Sequence, residues 1–120
     1  MYRWFNPNSC GKEVGDCVIR ALSKGLNKDW QQIHIDLCLL SFEMCDMPSS
    51  NEVWEKYLTD NGYFRKWANF ETVEQFCEKH PYGEYILATG SHVIAVENGD
   101  YYDAWDSGKE KVRYYFEKGE

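Results

Sequence analysis

The chain has 120 residues, enough for one domain that buries roughly two thirds of its unfolded surface without disulfides or metal. Twenty acidic against thirteen basic residues give a net charge of −7, which repels phosphate backbones and excludes nucleic acid as the main ligand. No apolar run approaches the ~20 residues that span a bilayer, and the N-terminus "MYRWFNPNSC" carries no export signal, so the expectation is a soluble cytoplasmic protein.

In chain order, Asp16 is placed as an N-cap, and "CVIRALSKGL" follows with Val18, Ile19, Ala21, Leu22 and Leu26 on one side of a short helix that stops near Gly25 or Asn27. Asp29 opens a second helix, "WQQIHIDLCLLSFEMC", in which Trp30, Ile33, Leu37, Leu40 and Met44 recur at helical spacing. Ser50 or Asn51 caps a third, "EVWEKYLTD", closed by Asn61-Gly62. "GYFRKW" reads as a short strand, and Thr72 opens a last helix, "VEQFCEK", halted by Pro81.

From there the pattern alternates. "EYILAT", "HVIAVE", "DYYDAW" and "KVRYYFE" are β-branched and aromatic runs separated by "TGS", "NG" and "SGKE", which predicts an antiparallel sheet of three or four strands. The class is therefore α+β in a single domain, residues 1–80 mainly helical and 81–120 mainly strands. Five Trp, nine Tyr and six Phe exceed what so small a core requires, so some of them line a groove or an interface.

Five cysteines, at 10, 17, 38, 45 and 77, are an odd set read as reduced thiols. Cys17 stands apart because a thiol in the first turn of a helix lies at the positive end of the helix dipole and beside unpaired amide hydrogens, which lower its pKa. Such a nucleophile needs a base. His92 stands at the entrance of the strand "HVIAVE", whose apolar residues would hold the imidazole rigidly. A base needs an orienter, and two carboxylates follow on the next strand. A two-residue Asn98-Gly99 turn puts Asp103 on the face of His92, whereas a three-residue bulged Glu97-Asn98-Gly99 loop brings Asp106 there instead. The other four cysteines are taken as structural, with Cys38 and Cys45 facing the core beside Leu37 and Met44.

"GDCVIRAL", "GSHVIAV" and "DAWDSG" together resemble the small papain-like cysteine peptidases of bacteria and phages, and the layout is similar to the bacteriocin-processing peptidase domains of ABC transporters. The resemblance implies a papain-like fold and thiol-mediated hydrolysis of a peptide or isopeptide bond, with Cys17 as nucleophile, His92 as base and no cofactor. It favours Asp106, which precedes Ser107, as the orienter, with Asp103 second. The family's oxyanion glutamine, six residues before the cysteine, is Gly11 here, so the expected donors are the Cys17 amide and the side chain of Asn6 or Asn8. The expected partner is a peptide or protein substrate.

Two readings from other classes stand beside it. One is a non-enzymatic protein-binding module on the same fold, of phage origin. The other is a small zinc-bound scaffold built on the two C-x6-C pairs, Cys10 with Cys17 and Cys38 with Cys45, although structural zinc prefers pairs two to four residues apart.

Overall fold

The computed structural model describes residues 1–119. The elements run β1 (Tyr2–Trp4), α1 (Cys17–Leu26), α2 (Trp30–Glu43), α3 (Asn51–Asp60), β2 (Tyr63–Trp67), α4 (Val73–Lys79), β3 (Glu84–Ala88), β4 (Val93–Glu97), β5 (Asp100–Asp103) and β6 (Tyr114–Lys118). Helix α1 covers the ten residues read from the sequence and is ended by Asn27, whose φ of 53° is the left-handed conformation that closes helices. Gly25 lies inside the helix. A Cβ there would sit 2.7 Å from Ile86 Cδ1, so its absence lets α1 approach β3 closely. Helix α4 starts with a reciprocal capping box, in which the Thr72 hydroxyl accepts from the Gln75 amide and the Gln75 side chain accepts from the Thr72 amide.

The sheet has six strands in the order β1-β5-β4-β3-β6-β2, not the three or four expected. Two of them come from residues 1–80, the part expected to be mainly helical. Strand β2 pairs antiparallel with β6, and β1 pairs parallel with β5, matching Tyr2 to Tyr101 and Trp4 to Asp103. A three-residue strand is too short to display a period, and its pairing is secured by tertiary contacts. The Tyr2 and Tyr101 rings lie 5.6 Å apart, and the N-terminal amine is 3.4 Å from Asp100 Oδ1.

Both faces of the sheet are covered. Ile86, Ala88, Val93, Ala95 and Phe116 pack with residues of α1–α3 such as Leu22, Leu37 and Trp54. The alternate residues Tyr85, Leu87, Ile94, Val96 and Tyr101 pack with Val73, Phe76 and Cys77 of α4. This is why β3 and β4 read as nearly unbroken apolar runs.

Helix α2 departs from expectation. It buries the narrow stripe Ile33, Leu37 and Ser41, while Cys38 and Cys45 are exposed, as are Ile35, Leu39 and Phe42. The helix is apolar nearly all round, so periodicity alone does not select the face that meets α1 and α3. Cys10 is exposed too, and of the four cysteines taken as structural only Cys77 is buried.

Candidate active site

Cys17 is the first residue of α1 and is half-buried. The residue before it does not cap the helix through its side chain as expected. Instead, the Asp16 carboxylate accepts from Arg20 Nη1 at 2.6 Å and from Trp30 Nε1 at 2.8 Å. With that carboxylate engaged, the first-turn amides of Cys17, Val18 and Ile19 have no hydrogen-bond partner among the described residues. Unpaired donors thus flank the thiol.

His92 is positioned by two hairpins. Gly90 and Ser91 turn the chain between β3 and β4, with the Thr89 amide donating to the His92 carbonyl at 3.0 Å. After β4, Asn98 and Gly99 have φ of 50° and 81°, and Glu97 pairs with Asp100. That is a two-residue hairpin turn with positive φ at both central positions. It places Asp103 beside His92, and His92 Nε2 lies 2.6 Å from Asp103 Oδ2. The other ring nitrogen is free of the carboxylate, and Cys17 lines the same clefts as His92, where the imidazole and the Val93 amide both act to lower the thiol's pKa. Trp105 stacks on the imidazole, with centroids 4.5 Å apart and planes at 26°.

Asp103 is completely buried and accepts four hydrogen bonds. Its Oδ1 takes Arg20 Nη2 at 2.9 Å and the Ala104 amide at 2.8 Å; its Oδ2 takes His92 and the Ser107 hydroxyl, both at 2.6 Å. Burial pushes the carboxyl pKa up, but the bonds from His92, Ser107 and Ala104 and the imidazole charge outweigh it and hold the pKa below the ordinary carboxylate value. For His92, burial favours the neutral ring, yet the Asp103 and Cys17 partners win and raise its pKa to about 9. For Cys17, burial pushes the thiol up, and the bonds from His92 and Val93 with the charges of His92 and Arg20 bring it below the ordinary value. Between that lowered value and about 9, both groups carry charge as a thiolate–imidazolium pair.

Three expected site residues lie elsewhere. Asp106 is exposed and accepts from the Tyr101 hydroxyl at 2.5 Å and the Gly108 amide at 3.0 Å, because the tight Asn98-Gly99 turn leaves no bulge to carry it onto the histidine's face. Asn6 donates to the Lys12 carbonyl, and the Asn8 side chain accepts from the Cys10 amide, so both amides serve the loop ahead of α1 rather than the thiol. Arg20, Trp105 and Ser107 were not singled out from the sequence. The i,i+4 spacing of Asp16 and Arg20 is a signal for the first, since it puts both on one helix face. The even spacing between Asp103 and Trp105 is a signal for the second, since alternate strand residues share a face.

Among the described residues, no group of three or more His, Cys, Asp or Glu side chains is arranged to hold a metal ion, so the two C-x6-C pairs do not converge. No described helix is long and apolar enough to cross a membrane. Comparison with family models, with curated proteins and with solved structures returns no match.

The geometry gives a direct expectation for thiol reactivity. At mildly acidic pH, iodoacetamide should label Cys17 ahead of the more exposed Cys10, Cys38 and Cys45, because its thiolate persists at lower pH, and Cys77 should be last, its pKa raised by burial to about 11. The labelling rate of Cys17 should rise as pH climbs through its lowered pKa, then change again near pH 9 where His92 loses its proton. Peptide mapping after timed labelling reads the order; Cys10 or Cys38 labelling well ahead of Cys17 would contradict it.

Proposed function

We propose that this chain is a papain-like cysteine peptidase that hydrolyses a peptide or isopeptide bond without a cofactor. The observation that carries the reading is the grouping of Cys17, His92 and Asp103, drawn from α1, the entrance of β4 and the end of β5, with His92 Nε2 2.6 Å from Asp103 Oδ2 and Cys17 and His92 walling the same clefts. A core histidine needs one partner; this one has a buried carboxylate on Nε2 and also shares its cleft walls with a thiol.

In the proposed reaction the Cys17 thiolate attacks the carbonyl carbon, a C–S bond forms, and the carbonyl electron pair moves to oxygen. The first-turn amides of α1 face that developing charge. Protonated His92 then gives its proton to the leaving nitrogen as the C–N bond breaks. The thioester is hydrolysed when neutral His92 takes a proton from water, the hydroxide adds, and the thiolate departs. Asp103 keeps the ring oriented and stabilises its charged form, and Trp105 covers it from solvent.

The test is incubation of the protein with a diverse peptide mixture, followed by mass-spectrometric search for new termini. Cleavage that vanishes after Cys17 is alkylated and persists with a chelator supports the reading. A protein whose Cys17 is hyper-reactive yet produces no new termini favours the binding-module reading, for which the exposed apolar residues Ile35, Leu39 and Phe42 on α2 offer a surface.

A further inference from the structure

Two clefts meet at the thiol. Both are walled by Cys17, Ser91 and His92, so they form the two arms of one trough. The larger arm, about 570 Å³, has an apolar floor that includes Val18, Leu37 and Trp54. The smaller, about 480 Å³, runs past Val14 and Trp105.

Their charges are opposed. Asp16 lines both arms and Arg20 the smaller one, but these two form a buried pair at 2.6 Å. What remains in the larger arm besides His34 and His92 is Arg113, exposed and without an ion pair or side-chain hydrogen bond among the described residues. What remains in the smaller arm is Glu110, which accepts from the Thr89 hydroxyl at 2.9 Å but has no cationic partner among the described residues. The turn that delivers His92 positions both. Thr89 holds Glu110, and Gly90 makes room for Arg113, since a Cβ at Gly90 would lie 3.0 Å from Arg113 Cζ. An unpaired arginine stands out on a chain of net charge −7.

We infer that the substrate is an extended peptide with an acidic side chain on one side of the bond cleaved and a basic one on the other, the acidic residue lying in the Arg113 arm and the basic residue in the Glu110 arm. The inference rests on the peptidase reading of this site and adds a direction to it. Each unlike-charge contact at such a partly exposed position is worth about threefold, weakening as salt is added.

Binding to the Cys17→Ala variant tests the polarity without requiring turnover. Two fluorescein-labelled peptides are used, with the same apolar centre flanked by Asp and Lys in one order or the other, and anisotropy at low salt is recorded. One order should bind about tenfold more tightly than its reverse, and Arg113→Glu with Glu110→Lys should invert the preference. If the double reversal does not fold, Arg113→Gln with Glu110→Gln should bring the two orders to equal affinity. Equal binding of both orders, no binding of either, or a preference untouched by these substitutions overturns the inference. Failure of the peptidase reading would show separately, as absent turnover by the unmodified protein in the presence of directional binding.

Discussion

Turnover of a responsive peptide is expected to fall to background in Cys17→Ala and by about a thousandfold or more in His92→Ala, with the double variant scarcely worse than either single one. The reason is their mutual influence, in which the thiol raises the pKa of the ring and the ring lowers that of the thiol. Remove either one and the thiolate–imidazolium pair is lost, although Asp103 still acts on the ring and Arg20 on the thiol. Additive losses would mean that the two residues do not act as a unit. His34→Ala and His80→Ala should stay within a few fold. His34 is exposed against Trp30, and His80 stacks on Phe76 at 3.9 Å beyond the end of α4, on the opposite side of the sheet from α1.

The second large effect belongs to Asp103. Asp103→Asn should lower turnover by about a hundredfold, since an amide keeps a hydrogen-bond acceptor near His92 but no charge to hold the ring protonated. The upper limb of the pH profile, set by the His92 pKa of about 9, should move down. Asp103→Ala goes further, because it leaves Arg20 buried with Asp16 as its one remaining carboxylate, and loss of a buried ion-pair partner costs about 3–5 kcal/mol. Denaturant midpoints separate that destabilisation from loss of chemistry. Asp106→Asn should be mild, as its carboxylate serves an exposed turn. A strong loss in Asp106→Asn with a near-silent Asp103→Asn would overturn the assignment.

These two aspartates show how far the residues could be read in advance. Asn98-Gly99 is the dipeptide that favours the two-residue hairpin turn, and that turn alone points to Asp103; the pull toward Asp106 came from family resemblance over a few residues. The start of α1, the Thr72 cap and the strands after residue 84 are set by local chemistry, so they were legible. Less so were features decided by partners far along the chain. Asp16 would cap its helix if Arg20 and Trp30 did not take its carboxylate. Cys38 sits on a helix whose buried stripe is chosen by where α1 and α3 lie, and Cys45 falls past the end of that helix, at a φ of 55°. Strand β1 exists because β5 leaves an edge free for it.

The sheet order has a bearing on when the protein can act. Strand β6 is made last yet sits between β3 and β2, and Phe116 on it belongs to the core beneath the thiol's helix. During synthesis at about 5–20 residues per second, Cys17 is joined to the chain roughly 4–15 s before His92 is. Throughout that interval it is an ordinary cysteine, with neither imidazole nor Val93 amide to stabilise a thiolate. The nascent peptide therefore carries Cys17 without the groups that lower its pKa, and insertion of the closing strand completes the core beneath the thiol's helix.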